Sequence, residues 1–387
     1  MHREHSDVPS MTRDTIVVAG ALAQKPRHGG HAWVLLQYLL GFKRLGWEVL
    51  FLDHVADATD TSAAVAAFVR VMHDFGLAGE FALFVDGTTE TIGLSRARAL
   101  DRVRQSALLL NVMGFLKDSE ILAQARRRVF LDIDPGFPQM WRELGLHDAF
   151  TGHDALVTIG QNIGRADCAI PTCGLDWIAT VQPVVLDYWP AVEPRSSGAF
   201  TSVVTWRGAN APVEYAEHTY GLRVHEFRKF ALLPCLTGLR FELALDIHPT
   251  EIADLDLLRR GKWMLVDPAA VAGDPQAYQA FIRASTAEIM IAKHMYVATN
   301  SGWFSDRSIC YLASGKPVLA QDTALAGLFP LGAGGLVTFR TLEEACAGAV
   351  AITADYVHHA RAARDLAEVY FDSDIVLRNL LAKLGVA

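Results

Sequence analysis

Cysteine is scarce in this chain, and its few copies are not spaced for disulfides or for zinc. The 387 residues include five cysteines: Cys168, Cys173, Cys235, Cys310 and Cys346. Their number is odd, and no closely spaced pair is matched by a second pair or by histidines. Neither a disulfide framework nor a structural metal site is therefore indicated. We expect reduced thiols and a cytoplasmic protein.

Long apolar runs and an excess of basic charge are also missing. No stretch of about eighteen apolar residues occurs, so no transmembrane helix is predicted. Residues 1–14 are polar and lack the apolar centre of a secretion signal, and we expect a disordered lead-in there. The chain carries 35 lysines and arginines against 43 aspartates and glutamates, a formal net charge of -8. This balance argues against a general nucleic-acid-binding protein, which needs a basic face.

The residues that are present predict a globular α/β protein with two domains. Hydrophobic residues make up 51% of the chain, and 387 residues are long for a single core. In the first half, helices predicted at His31–Leu45 and Ala63–Asp74 separate short apolar runs. Those runs predict strands at Thr15–Ala19, Glu48–Leu52, Phe81–Val85, Ala107–Val112, Val129–Ile133 and Ala155–Ile159. Strands alternating with helices indicate parallel βαβ units and a doubly wound sheet.

The pattern lapses between residues 183 and 198, where three prolines and a Ser-Ser-Gly ending indicate a linker. We therefore predict an N-terminal domain at 15–185, a linker at 186–198, a C-terminal domain at 199–360, and C-terminal helices at 361–387 that pack back across the domains. A second alternation follows the linker. Its predicted strands are Ser202–Trp206, Phe241–Ile247, Trp263–Val266, Glu288–Ala292, Tyr296–Thr299 and Pro317–Ala320.

The segment from Ser301 to Thr323, SGWFSDRSICYLASGKPVLAQDT, is the most informative part of the chain. A polar loop leads into a short helix predicted at Arg307–Ser314, with Ser305 or Asp306 as the N-cap. A helix start that carries serines and an arginine is suited to binding phosphate, because free backbone N–H groups and the helix dipole favour an anion. The alternative is an ordinary capped helix of an α/β domain.

This segment resembles the sugar-nucleotide-binding segment of GT-B glycosyltransferases, in which a loop, a helix and an A-x-G-x-P-V turn cradle the donor diphosphate. Here the turn is Ala313–Val318. The resemblance implies two Rossmann-like doubly wound domains that face a cleft, followed by a C-terminal helical tail. It covers nearly the whole chain. Periplasmic-type binding proteins and two-domain dehydrogenases share this gross layout, so the layout alone does not decide the function.

One departure from the family pattern concerns two carboxylates. Many retaining GT-B enzymes carry Glu-x7-Glu in this segment, but the corresponding positions here are Gly302 and Cys310. The chain therefore resembles a divergent branch, and a retaining reaction is disfavoured. The polar residues left to face the donor are Ser305, Asp306, Arg307 and Ser308.

The loop after the first strand, GALAQKPRHGGH, lacks G-x-G-x-x-G and so lacks the dinucleotide-binding fingerprint. It contains His28, Gly29, Gly30 and His31, and the glycines would let the backbone approach a substrate. In many GT-B enzymes a histidine of this loop deprotonates the acceptor hydroxyl. The resemblance assigns that role to His31 or His28.

Polar residues at other strand ends of the first domain complete the predicted acceptor side. Asp134 follows the strand at Val129–Ile133 and would orient the histidine, although Asp132 is an alternative for the position facing the cleft. Asp132 and Asp134 also spell the D-x-D of metal-dependent glycosyltransferases, which have a different fold. We prefer the acceptor-side role and assign no metal. Asn111, at the end of another strand, is assigned to substrate binding.

The second domain is expected to hold the donor, and its predicted ligands are strand-end residues. The resemblance implies phosphate contacts from Arg207 and Gly208 and a nucleobase contact from Asp267. Lys293 and His294 would neutralise phosphate charge beside the helix start. The donor-binding set is thus Arg207, Gly208, Asp267, Lys293, His294, Ser305, Asp306, Arg307 and Ser308.

The predicted function is sugar transfer from a nucleotide-diphosphate sugar to a small-molecule acceptor of natural-product type. The reaction is expected to be metal-independent and inverting, with no cofactor beyond the co-substrate. Its partners would be the nucleotide sugar and the acceptor, without nucleic acid, and a homodimer is left open. Two alternatives remain: a sugar-nucleotide epimerase of the same fold, and a non-catalytic protein that binds sugar nucleotides.

Overall fold

Two large β-sheets, one parallel and the other parallel except for one edge strand, form the centre of the part of the molecule that the structure describes. The computed structural model describes residues 14–56, 62–193 and 197–386. The predicted lead-in therefore lies outside the described residues except for Asp14, as do three residues of the predicted linker. The chain passes from the first sheet to the second between Ala179 and Phe200, which agrees with a division into two α/β units.

The first sheet has eight strands in the order β4-β3-β2-β1-β5-β6-β7-β8. Its strands are β1 (Thr15–Ala19), β2 (Glu48–Val55), β3 (Phe81–Val85), β4 (Thr91–Gly93), β5 (Leu108–Val112), β6 (Arg128–Asp132), β7 (Ala155–Thr158) and β8 (Trp177–Ala179). Only β4 pairs antiparallel. The helices are α1 (Gly29–Arg44), α2 (Ser62–Asp74), α3 (Arg96–Gln105), α4 (Ser119–Gln124) and α5 (Phe137–Glu143).

The second sheet is fully parallel, and its six strands run β13-β12-β9-β14-β15-β16. Its strands are β9 (Phe200–Thr205), β12 (Phe241–Asp246), β13 (Met264–Val266), β14 (Ala287–Met290), β15 (Val318–Gln321) and β16 (Leu336–Phe339), and a separate hairpin consists of β10 (Val213–Tyr215) and β11 (His218–Tyr220). In chain order this arrangement is 3-2-1-4-5-6, the order of dinucleotide-binding sheets.

The helices of the second half cover this sheet and then return to the first domain. They are α6 (Arg223–Phe227), α7 (Leu233–Thr237), α8 (Ile252–Arg260), α9 (Pro268–Ala272), α10 (Pro275–Ala284), α11 (His294–Ala298), α12 (Asp306–Ala313), α13 (Leu342–Ala354), α14 (Tyr356–Leu366) and α15 (Ser373–Lys383). The last helix packs on α1, where a Cβ at Gly41 would lie 2.5 Å from Leu377. None of the helices in the described part of the chain is long and apolar enough to cross a membrane.

The strand order places a switch point in each sheet. In both sheets the chain winds outward from one central strand, β1 or β9, first to one side and then to the other. Ligands of such sheets bind at the carboxyl ends of the strands beside this point. The loops after β1, β5, β9 and β14 are therefore the expected positions for functional residues, as the sequence predicted.

The strand predicted at Tyr296–Thr299 is wrong, because these residues belong mostly to helix α11. A short apolar run does not distinguish a strand from a buried helical turn. Here the turn buries Met295 and Tyr296, and the Tyr296 ring stacks on Trp303 with 4.3 Å between the ring centroids. Both positions beside β14 are occupied, by β9 and β15, so the segment that follows β14 could not pair with it as a strand.

The two domains touch closely along α1 and α10. The indole Nε1 of Trp33 donates a hydrogen bond to the backbone oxygen of Pro275 over 2.9 Å. A Cβ added to Gly29 would lie 2.2 Å from the carbonyl oxygen of Asp274, and one added to Gly30 would lie 2.9 Å from the Tyr278 ring. The approach of the other domain thus requires these two glycines, and their contact with a substrate stays a prediction.

Gly29→Ala should destabilise the protein, because the new methyl group would meet backbone atoms of the second domain that cannot rotate away. We expect a loss of about 1–3 kcal/mol, as for overpacking in a core. Gly79→Ala is the matched control, since a Cβ there meets nothing within 4 Å. Calorimetric melting of both variants measures the difference. Equal melting temperatures would contradict the tight contact between α1 and α10.

Candidate active site

A cavity of about 510 Å³ lies between the two domains at the carboxyl ends of both sheets. The first domain lines it with residues 26–31 of the β1–α1 loop, with Val34 and with Ile133 after β6. The second domain contributes residues at the ends of β9 and β12 and at the starts of α6, α9 and α12. These include Thr205, Arg223, Asp246, Pro268, Asp306 and Arg307. The cavity thus collects His28, Gly29, Gly30, His31, Asp306 and Arg307 of the residues that the sequence nominated.

His31 lies in the first turn of α1 and faces this cavity. Its Nε2 is 3.1 Å from the carbonyl oxygen of Ala21. Burial, helped by the charge of Lys25, lowers the pKa of His31 to about 3. The imidazole is therefore neutral at physiological pH, with the proton on Nε2 donated to Ala21 and Nδ1 left as the acceptor.

Asp134 is paired with the second domain and not with a histidine. Its carboxylate accepts hydrogen bonds from the Lys293 ammonium at 2.6 and 2.8 Å and from the Tyr296 hydroxyl. The predicted orientation of His31 by Asp134 is therefore corrected: the lysine of the facing domain occupies this carboxylate. The same ion pair engages the ammonium group of Lys293, which we predicted to neutralise donor phosphate. Both residues instead join the two domains across the cleft.

Asp132 is fully buried and supports the loop that carries Asp134. Its carboxylate accepts hydrogen bonds from Gln139 at 2.7 Å, from Thr158 at 2.8 Å and from the Asp134 backbone N–H at 3.0 Å. Between the two aspartates, Asp134 is the partly exposed one. Within the described ranges, no group of three or more histidine, cysteine or carboxylate residues is placed to hold a metal ion.

The start of α12 faces the cavity, and its Arg307 is bound by groups of the second sheet. Ser305 is the N-cap, and its hydroxyl accepts from the Arg307 backbone N–H at 3.2 Å. Arg307 is only 6% exposed, and its Nε donates to Glu288 at 2.5 Å while Nη1 donates to the Val203 oxygen at 2.9 Å. Burial opposes the charge on Arg307, but the Glu288 carboxylate outweighs it and raises the pKa of Arg307.

One nitrogen of this guanidinium is left over. Nη2 of Arg307 is buried and has no hydrogen-bond partner among the described residues. Arg307 is also one of the residues that line the cavity. Ser308, by contrast, is fully buried and does not line the cavity. Asp306 does line it, and burial raises the pKa of its carboxyl.

Arg223 is a functional candidate that the sequence analysis missed. It occupies the first position of α6, lines the cavity, and its buried Nε has no partner in the described chain. Burial and the nearby charge of Arg307 lower the pKa of Arg223 to about 10, which still leaves it charged at neutral pH. The sequence signal for Arg223 is a basic residue at a helix start after Gly221. The hairpin β10–β11 lies between this residue and the end of β9, where we predicted the phosphate contacts.

The other predicted donor ligands lie away from the cavity lining. Arg207 forms an exposed ion pair with Glu251, and Gly208 lies in a turn at φ +79°. Asp267 caps α9 by accepting from the Ala269 N–H at 2.9 Å. His294 Nδ1 accepts a hydrogen bond from the Gly221 N–H at 2.9 Å, and this bond holds the backbone that leads into Arg223.

Asn111 is also a structural residue of its own domain. Its side chain is buried and binds the backbone of Leu116 twice, donating to the oxygen and accepting from the N–H group, both at 3.0 Å. It also lies 3.1 Å from Nε2 of His153. These contacts saturate the amide and shape the loop after β5, so Asn111 is outside the set that lines the cavity.

Asp132 should contribute stability at low pH that is lost as pH rises from about 4 to above 6. Burial raises the pKa of this carboxyl from 3.8 to about 6. A group with a raised pKa contributes its stability below the unfolded value and loses it as pH rises through the folded value. His31, whose pKa is lowered to about 3, contributes in the opposite direction over this range, so the test compares the variant with the wild type. The melting temperature of Asp132→Asn relative to that of the wild type should therefore rise from about pH 4 to above pH 6.

Asp365→Asn, on the exposed surface of α14, is the matched control and should melt in parallel with the wild type. Burial also raises the pKa of Asp53 to about 6, and because the variant and the wild type share this contribution, it cancels in the comparison. The interpretation of Asp132 fails if its variant and the wild type show the same change with pH.

No family model matches this chain, and a search of curated proteins finds no relative. Solved structures do match it over nearly its full length. An alpha-glucosyltransferase in complex with UDP and a 13-mer DNA has a TM-score of 0.59 and 11% identity, with 97% of this chain and 100% of that chain covered. HepE from Anabaena, in complex with UDP and glucose, has a TM-score of 0.57 and 13% identity, with 96% and 100% covered.

Sucrose-phosphate synthase from Thermosynechococcus elongatus also matches, with a TM-score of 0.54, 12% identity and coverage of 96% and 99%. Identities this low establish shared architecture and leave the reaction open. They confirm the expected fold class and the predicted resemblance at the level of fold: this chain has the GT-B fold, two doubly wound domains facing a cleft, in a divergent sequence.

Proposed function

We propose that the chain is a metal-independent, inverting glycosyltransferase that moves a sugar from a nucleotide-diphosphate sugar to a small-molecule acceptor. One observation carries the proposal. Two arginines, Arg223 and Arg307, line the cleft of a GT-B fold, and each has a buried N–H group without a partner in the described chain. Buried donors are rarely left unpaired, so a ligand with acceptor oxygens is expected between them.

A diphosphate suits these donors in charge and in position. Arg223 supplies a positive charge, and Arg307 supplies a guanidinium whose charge is balanced by Glu288. The Ser305 hydroxyl occupies the Arg307 backbone N–H, so the start of α12 contributes mainly the positive end of a helix dipole. Hydrogen bonds between guanidinium groups and phosphate are stronger than neutral ones. Two of the matched structures contain UDP, which agrees with this class of ligand.

The proposed reaction depends on positive charge placed where negative charge develops. A base takes the proton of the acceptor hydroxyl, the oxygen attacks the anomeric carbon, and the bond from that carbon to the diphosphate oxygen breaks. The arginines stabilise the negative charge on the departing diphosphate, which is the task that a metal ion performs elsewhere. Attack opposite to the leaving group inverts the anomeric carbon.

His31 is the proposed base, through Nδ1. Its low pKa comes mainly from burial, with the charge of Lys25 second. A bound diphosphate would add negative charge beside the ring and raise that pKa, because an opposite charge stabilises the imidazolium. His31 would thus become an effective base only when the donor is in place.

Arg223→Gln should weaken UDP binding by about tenfold or more, the usual effect of losing a charge-assisted hydrogen bond in a buried site. Titration calorimetry with UDP measures the effect. Arg260→Gln, an exposed arginine on α8 of the same domain, is the control and should bind UDP like the wild type. Normal binding by Arg223→Gln together with weak binding by Arg207→Gln would restore the assignment made from sequence.

His31→Gln should reduce transfer by about 100-fold or more while UDP binding is unchanged, since a general base typically contributes 10²–10⁴ in rate. Turnover with a small phenolic acceptor and a panel of sugar nucleotides measures the loss, and NMR of the product gives the anomeric configuration. His73→Gln, exposed at the end of α2, serves as the control. Full activity of the His31 variant, or a retained configuration, would refute this mechanism. Isomerised sugar from the donor alone would favour an epimerase instead.

A further inference from the structure

A second cavity, of about 320 Å³, adjoins the first. It lies between the β1–α1 loop, helix α2 and the turn that joins α9 to α10, and it shares the wall formed by residues 26–29 with the larger cavity. We propose that this second cavity binds the acceptor, and that the acceptor is a small molecule with an apolar body and one carboxylate or phosphate group. This inference rests on the proposed function and specifies its substrate class.

The floor of the second cavity is apolar. Leu22, Ala32, Phe68 and Val71 of the first domain and Pro275 of the second contribute to its lining. Its volume is at the lower end of the range for small-molecule sites, about 300–1,000 Å³. It has room for about ten water molecules at their liquid volume, which corresponds to a compound with one or two rings.

The rim of the second cavity carries three cations, Lys25, Arg27 and Arg70. Lys25 lies 5.0 Å from the centre of the Phe115 ring. Arg27 and Arg70 form no ion pair within the described residues, so both guanidinium groups are free to bind an anion. A ligand with one anionic group would pair with the cations at this rim, and its apolar body would contact the apolar floor.

Two carboxylates also line the second cavity, and both are engaged. Asp74 accepts from Gln276 Nε2 at 3.0 Å, and Asp274 accepts from the Ala277 N–H at 2.7 Å as the N-cap of α10. They reduce the positive charge at the rim but leave the cations in excess, three against two. This balance favours an acceptor with one anionic group over a polyanion.

The shared wall is held in a defined conformation. Arg27 has a φ of +63°, a left-handed conformation that is unfavourable for an L residue. Asp53 accepts from the Ala23 N–H at 2.6 Å and from Gln24 at 2.9 Å, and this fixes the preceding part of the loop. Backbone strain that a structure maintains in this way is frequent at binding sites. Arg27 lines both cavities, so an acceptor anchored at Arg27 and Arg70 would lie next to the cavity that contains His31.

The test uses 4-hydroxybenzoate and phenyl phosphate as anionic probes and 4-hydroxybenzamide as the neutral counterpart, each titrated by NMR into the full chain saturated with UDP. We expect at least one anionic probe to bind about tenfold or more tightly than the benzamide. That affinity should fall with added salt, because an exposed rim is screened. Which anion binds better distinguishes a carboxylate from a phosphate acceptor.

Arg70→Gln should remove most of this preference for the anion, while UDP binds as in the wild type. Arg378→Gln, an exposed arginine on α15, is the matched control and should keep the preference. Ala67→Phe, which fills the cavity, should block all three probes. Equal binding of anionic and neutral probes, or an unchanged preference in Arg70→Gln, would overturn the inference. Failure of the wild type to bind UDP would refute the proposed donor site instead.

Discussion

The buried ion pair between Arg307 and Glu288 is the interaction on which the candidate site depends. Glu288 lies within the central part of the second sheet, and Arg307 reaches it from the start of α12. Removing either partner would leave a buried charge alone, which is strongly unfavourable. The pair therefore keeps the Arg307 guanidinium charged under the cleft, with Glu288 balancing that charge. It also fixes the position of the guanidinium, whose Nη2 has no hydrogen-bond partner among the described residues.

The domain contacts place a second set of groups opposite this charge. Helix α1 packs on α10 through Gly29 and Gly30, and Lys293 reaches across to Asp134. The β1–α1 loop is thereby held against the second domain, with His31 on one side and Arg27 on the other. Two adjacent cavities with a common wall result, one suited to a diphosphate and one to a small acceptor.

The fold was largely predictable from the sequence, whereas the roles of individual polar residues were not. Apolar periodicity located β1, β3 and α2 almost to the residue, and family resemblance supplied the arrangement of the sheets. The strand β16 was not predicted because its four residues do not show a clear alternation of apolar and polar side chains. Ion-pair partners such as Lys293 and Asp134 are separated by more than a hundred residues, and only the packing of the two domains brings them together.

The central claim is that Arg223 and Arg307 hold a diphosphate. The most direct measurement is NMR of the arginine Nε–H signals during titration with UDP and, separately, with uridine. The account predicts that UDP shifts and protects the Arg223 Nε–H, which has no partner among the residues that the structure describes, and that uridine does not. Saturable UDP binding that leaves this signal unchanged, or no UDP binding at all, would contradict it.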